Sequence, residues 1–187
     1  MRLSAVVLAA ALPFCAVAQE DADGASFQRS LEMPAHRSLQ SIISDSETTL
    51  APFETDGCSG GMSWSWRLVS DVFEDFAEAQ GTIPPWEHCC VIHDRAYHSA
   101  GGAQTAGDSY AARLAADEAL RLCVVDQGQM QVTQLSQRYD VPPERIEQAY
   151  GLIGDAMFSA VRLGGAPCSI LPWRWGFGYP LCQQVFQ

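Results

Sequence analysis

Trp86-Glu87-His88-Cys89-Cys90-Val91-Ile92-His93-Asp94-Arg95-Ala96-Tyr97 gathers two cysteines, an imidazole, a carboxylate and a phenol into one short run. The spacing becomes informative on a helix. Side chains four apart share a face, so Cys89, His93 and Tyr97 form one row and Cys90 and Asp94 the row beside it. Adjacent cysteines on a helix point in different directions and hardly meet the geometry of a mutual disulfide. Each therefore recruits a separate partner segment, one near His93 and Tyr97, the other near Asp94. The run reads as the centre of a site assembled from three pieces of chain.

The pattern Cys-Cys-x-x-His-Asp-x-x-Tyr, carried by Cys89, Cys90, His93, Asp94 and Tyr97, resembles the active-site helix of the secreted phospholipase A2 superfamily. That family places a glycine-rich loop with a cysteine ahead of the helix, and Phe53-Glu54-Thr55-Asp56-Gly57-Cys58-Ser59-Gly60-Gly61 fits the role. Inward carbonyls of such a loop suit calcium, a hard cation that takes oxygen ligands, and glycines permit the backbone angles and close approach. The resemblance implies a Ca2+ site formed by the carbonyls of Gly57, Ser59 and Gly61 with the Asp94 carboxylate. Asp56 is an additional ligand candidate, because some minimal members carry an acidic residue there. The resemblance also implies a Cys58–Cys90 disulfide that holds the loop against Asp94. Closing a loop of about 33 residues in this way contributes about 3–4 kcal/mol in the chain-entropy model.

The family further carries, on a second long helix, an aspartate six residues before the cysteine that bonds the first of the Cys-Cys pair. Asp117 stands six before Cys123. A Cys89–Cys123 bridge between antiparallel helices would run Asp117 toward His93 and Tyr97. The implied fold class is mainly α: a disulfide-linked antiparallel helix pair of phospholipase A2 type with a calcium loop and additional helices. The implied activity is calcium-dependent hydrolysis of a glycerophospholipid acyl ester, at sn-2 by analogy, on a membrane or micelle surface. His93 would take a proton from the attacking water, and Asp117 would orient its ring. Tyr97, with Tyr110, would hydrogen-bond Asp117. The resemblance covers residues 53–125. It departs from the family in the 32 residues that separate Cys58 from Cys90, which is longer than in typical secreted members.

The chain opens with Met1-Arg2 and an apolar run to Val17, ending in Ala16-Val17-Ala18. Residues 1–18 read as a signal peptide rather than a membrane span, since the apolar core is short, and export to the periplasm or medium follows. Cys15 follows Phe14, where a lipoprotein would carry a small residue. Without residues 1–18 the seven cysteines become six, an even number that suits disulfides in an exported chain. With two bridges given by the resemblance, the remaining pair is Cys168 and Cys182. The net charge of −11 becomes −12 on losing Arg2, and every Lys/Arg position is arginine. Such a chain is not steered toward nucleic acid or strongly anionic membranes.

Residues 19–52 are polar and aperiodic and read as a loosely ordered arm, of which residues 39–43 pack. Residues 53–187 form one domain. Within it, residues 64–80 show helical spacing of Trp66, Val69, Val72, Phe73 and Phe76, with Gly81 as a C-cap. Pro84-Pro85 start the Cys-Cys helix and Gly101-Gly102 end it. Asp108 caps a helix to about Val125, followed by helices at about 129–138 and 143–163. Asp155 and Arg162 argue against a transmembrane span in the last of these. Two readings stay open for the aromatic tail, Pro172 to Pro180: an anchor at a lipid interface or a segment packed on the core.

Other chemistry competes for the same residues. A lone histidine is more often a buried, satisfied core residue than a base; the neighbours Asp94, Tyr97 and Asp117 reverse that weighting for His93. His36, His88 and His98 have no such neighbours and read as surface residues. Cys-Cys with His suggests zinc, but export favours disulfides and the spacing matches no common zinc pattern. Gly57-Cys58-Ser59-Gly60-Gly61 fits Gly-x-Ser-x-Gly, the nucleophile turn of a serine esterase with Ser59 as nucleophile. That turn requires a preceding buried strand, and Pro52 with the acidic residues around it supplies none. A non-catalytic calcium-binding, lipid-binding or toxin module on the same scaffold is the remaining alternative.

Overall fold

The computed structural model describes the backbone of residues 15–58 and 83–182, with side chains from residue 26 onward. The helix expected over residues 64–80 and its Gly81 cap lie outside these residues, as do Ser59 and Gly61. Four helices and no strand are found among the described residues: α1 (Cys15–Ile43), α2 (Glu87–His98), α3 (Ala106–Tyr139) and α4 (Pro143–Gly164), with a 3-10 turn at Ala100–Gly102. The chain divides into two units, 1–31 and 32–187. The described part of the first, from Cys15 on, is helical. All that follows concerns the second.

The stretch expected to be a loosely ordered arm is instead helical up to Ile43. Leu39 is buried as expected, but so are Glu32 and His36. The sequence gives no apolar stripe here because polar groups face the interior. His36 and His98, expected at the surface, are both buried; His88 is exposed.

Pairwise contacts fix the helix directions. Cys89 joins Cys123, His93 meets Asp117, and Tyr97 meets both Asp117 and Arg113. Numbers rise on α2 as they fall on α3, so the two are antiparallel. The same logic makes α3 and α4 antiparallel, through Gly128 with Tyr150 and Arg113 with the Val161 and Arg162 carbonyls. The second half of α1 also runs against α3, through Glu32 with Arg113 and His36 with Ser109.

The start of α3 is capped by Thr105, not Asp108. The Thr105 hydroxyl accepts the Asp108 N–H at 3.1 Å, the N-cap bond, and donates to the Asp108 carboxylate at 2.7 Å. The helix then continues through 126–128, where a break was expected. Gly128, inside this continuous helix, serves close approach: a Cβ there would land on the Cβ and ring carbons of Tyr150. Gly128→Ala is expected to destabilise the protein by about 1–2 kcal/mol, because overpacking against a buried ring outweighs the gain in helix propensity. Thermal unfolding checks this; an unchanged melting temperature would mean that Tyr150 yields freely.

Two apolar clusters flank a polar belt along α3. Leu120 and Val124 pack with Cys58, Trp86, Cys89, Cys90, Tyr150 and Met157. On the other side Ala112 and Ala116 pack around Leu39, Tyr97, Ala100 and Trp175. The tail, closed by Cys168–Cys182, packs on this second cluster. Trp175 is fully buried, edge-on to Tyr97 at 4.9 Å between ring centres. The last carbonyls of a helix lack intrahelical donors. Here the tail supplies them: Gly176 N–H donates to the Tyr97 carbonyl at 2.7 Å and Gly178 N–H to that of His98 at 3.1 Å.

Candidate active site

The three cysteine pairs are Cys58–Cys90, Cys89–Cys123 and Cys168–Cys182. The first ties the loop before residue 59 to α2 beside Asp94. The second ties α2 to α3 about one turn before His93. These covalent ties bring together His93, Tyr97, Asp117 and Asp94.

His93 Nε2 lies 2.9 Å from Asp117 Oδ1, and the Tyr97 hydroxyl donates to the same oxygen at 2.6 Å. Asp117 is fully buried and His93 nearly so. A carboxylate only accepts, so Nε2 carries the proton and Nδ1 presents its lone pair. Nδ1 sits 3.9 Å from Asp94 Oδ1. Burial works against a charged His93 ring, but the hydrogen bond to Asp117 and the contact with Asp94 outweigh it and lift its pKa above the ordinary imidazole value. Burial, with the Asp117 charge, pushes the Tyr97 phenol well above its usual range, so it stays a donor.

Asp94 is partly exposed and takes a hydrogen bond from the Thr55 hydroxyl at 2.5 Å; that hydroxyl also accepts the Gly57 N–H at 3.0 Å. Gly57 holds φ +75°, and a Cβ there would overlap the Glu87 carboxylate. Glycine meets both demands. The loop up to Cys58 thus lies against Asp94, and the donors it offers with Asp56 and Asp94 are oxygens, the set a hard cation takes. Asp56 and Asp94 both line a cleft of about 550 Å³ with Thr55, His98, Trp173 and Phe177. A second, smaller slot of about 140 Å³ is walled by Cys58, Leu120, Met157, Val161 and Trp173 and reaches His93 and Asp94. Asp94 and Trp173 border both.

Three contributors to the site were not anticipated. Arg162, on α4, donates to Asp117 Oδ2 at 3.0 Å and to Glu32 Oε1 at 2.6 Å. Arg113 donates to the Tyr97 hydroxyl at 3.2 Å and to Glu32 Oε2. Glu32, on α1, thus closes a buried quartet of two carboxylates and two guanidiniums. Arg113 stands four residues before Asp117, and Arg162 interrupts an apolar helix face; both are signals a closer reading of charge spacing would catch. Glu32 leaves no signal except its i,i+4 relation to His36. Tyr110, expected beside Asp117, lies edge-on to His36 at 5.7 Å and under Arg162.

Burial pushes the Glu32 carboxyl up, but His36, Arg113 and Arg162 more than reverse this and hold it at about 2, against 4.5 ordinarily. A depressed folded pKa gives stability that is full above the unfolded value and fades as pH falls toward the folded one. Stability is therefore expected to drop between about pH 4.5 and 2, by at most roughly 3 kcal/mol from this group. Glu32→Gln should flatten that part of the urea-midpoint-against-pH curve.

His88 Nε2 lies 3.5 and 3.6 Å from the sulfurs of Cys89 and Cys123. Those sulfurs are bonded to each other, so this group offers no thiolate to a metal. Among the described residues no helix is long and apolar enough to cross a membrane. No protein-family model, no curated protein and no solved structure matches the chain.

Proposed function

We propose that this protein is a phospholipase A2-like enzyme that hydrolyses an acyl ester of a glycerophospholipid with calcium as cofactor. The observation that carries the reading is the His93 ring, hydrogen-bonded through Nε2 to an Asp117 oxygen that also accepts from the Tyr97 hydroxyl, with Nδ1 3.9 Å from Asp94 at the head of an apolar slot. A neutral imidazole held this way takes a proton from water at Nδ1 as the water attacks the ester carbonyl. Asp117 keeps the ring in that tautomer and stabilises the imidazolium that forms, the role of an orienting carboxylate. Tyr97 holds Asp117 in place. The slot suits an acyl chain, since its walls are apolar.

Asp94 and Asp56, which line one cleft, would hold a calcium ion with the carbonyl of Gly57, and Ser59 and Gly61 would complete the proposed set. Bound there, calcium supplies Lewis-acid polarisation of the ester carbonyl, worth several kcal/mol in comparable sites. The disulfides and the signal-like first 18 residues suit an exported protein.

The test is fatty-acid release from mixed phosphatidylcholine–phosphatidylglycerol micelles, with calcium and with chelator, using oxidised protein, Asp94→Asn and His93→Gln. Calcium-dependent release that weakens in Asp94→Asn along with calcium affinity supports the reading. Full calcium affinity in Asp94→Asn would remove the proposed metal site. Absence of release with calcium bound would point to a binding module. Release indifferent to chelator and to His93 would point to Ser59.

A further inference from the structure

We propose that Glu32, contributed by α1, is a positioning residue of the active site: it engages Arg113 and Arg162 so that Asp117 keeps one oxygen for His93 and Tyr97. This rests on the catalytic reading given above.

The geometry leads there directly. Asp117 Oδ1 serves His93 and Tyr97, while Oδ2 takes Arg162 at 3.0 Å. Arg113 Nε is already 3.9 Å from Oδ2. Two buried guanidiniums against one carboxylate would leave a charge uncompensated in a medium where that is costly. Glu32 supplies the second carboxylate, with Oε1 on Arg162 and Oε2 on Arg113. The quartet is then neutral, two positive and two negative. It suits a neutral His93 that becomes positive only as the reaction proceeds. Without the Glu32 charge, Arg113 has Asp117 as its nearest anion, and a swing of its Nε toward Oδ2 would draw the carboxylate away from His93.

Glu32 is itself held from the far side. The Trp175 indole N–H can only donate, and it points at Ser109 Oγ at 2.9 Å. Ser109 Oγ also lies 2.9 Å from His36 Nδ1. The other ring nitrogen, His36 Nε2, faces Glu32 Oε2 at 3.7 Å. A line of polar groups thus runs from the tail through α3 and α1 to the quartet. One consequence is that an active protein must retain the chain from Glu32 onward, whatever happens to the residues before it.

The experiment compares Glu32→Gln, Glu32→Asp and Leu39→Ala with the parent protein. Two readouts are taken: steady-state release from the same micelles with calcium, and the proton NMR signal of the His93 Nε2–H, assigned by its loss in His93→Gln. For a partner acting at one remove, a fall in kcat of about 10–100-fold is expected, with KM little changed, together with a displaced His93 signal. Glu32→Asp keeps the charge but loses reach and should fall between. Leu39→Ala removes α1 packing without touching the quartet; it should lower the melting temperature and leave kcat and the signal alone. A folded Glu32→Gln with parental kcat and signal overturns the proposal, as does an equal kcat loss in Leu39→Ala. If Glu32→Gln does not fold, Glu32→Asp decides on the same two readouts. If the parent releases no fatty acid, the catalytic reading fails, and the NMR signal alone decides whether Glu32 positions the Asp117–His93 pair.

Discussion

Under the proposed hydrolase function, replacing His93 by glutamine is expected to lower ester hydrolysis by about a thousandfold, the middle of the range for a general base, while leaving the helix pair folded. Glutamine can still donate a hydrogen bond to Asp117, so the buried carboxylate keeps a partner. It cannot accept a proton at any useful pH. The disulfides Cys89–Cys123 and Cys58–Cys90 do not depend on the ring. Initial rates, circular dichroism and calcium titration of one preparation check the three parts together. Retained activity at unchanged fold would remove His93 from the chemistry. The same residue sets a pH profile. The proposed reaction needs the neutral ring, and the ring's pKa is raised by Asp117 and Asp94 in spite of burial. Activity should thus climb with pH through and beyond the ordinary imidazole range. A cation on Asp94 takes away part of that lift, so added calcium should move the rising limb to lower pH.

Arg113→Met is expected to cost about 3–5 kcal/mol of stability, the penalty for breaking a buried ion pair by deleting one partner. For a chain of this size that is a fall of roughly 10 °C in melting temperature. Arg113 is fully buried. It donates to the Tyr97 hydroxyl, to Glu32 and to the carbonyls of Val161 and Arg162. Methionine fills much the same volume but leaves Glu32 and Asp117 to share Arg162. Arg121 offers the contrast on the same helix. Its contacts with Glu118 and Asp155 are solvent-exposed, and Arg121→Met should hardly move the transition. Differential scanning calorimetry of the two variants checks the difference, and equal shifts would mean that the buried quartet contributes no more than a surface pair.

The residues on α2 were legible because a helix converts spacing into a shared face. His93 and Tyr97 stand four apart, and Asp117 reaches both from α3. The two rows of α2 said only that Cys89 and Cys90 have separate partners; the pairings with Cys123 and Cys58 were what the family resemblance implied. The quartet was not legible. Glu32 is 81 residues from Arg113 and 130 from Arg162, and contacts that distant leave no period in the sequence. The buried face of α1 was hidden because it is polar: Glu32 and His36 look like solvent-exposed residues until their partners are known. The break expected after Val125 is absent, and Gly128 just beyond it lets α3 and α4 touch instead. Thr105 was passed over for Asp108, although the Thr105 hydroxyl is what takes the Asp108 N–H.

The tail has a consequence for the order in which the molecule is made. The carbonyls that end α2, those of Tyr97 and His98, receive their donors from Gly176 and Gly178. Trp175 fills the space beside Tyr97 and anchors Ser109, which in turn holds His36. A nascent chain that has emerged only as far as α4 therefore holds His93 and Asp117 but lacks the piece that seats them. Completion waits for the last dozen described residues and, through Cys168–Cys182, for an oxidant. A chain stalled in synthesis or kept reduced would remain unfinished around His93 and Asp117, so a cell making it would carry the assembled form only where synthesis is complete and thiols are oxidised.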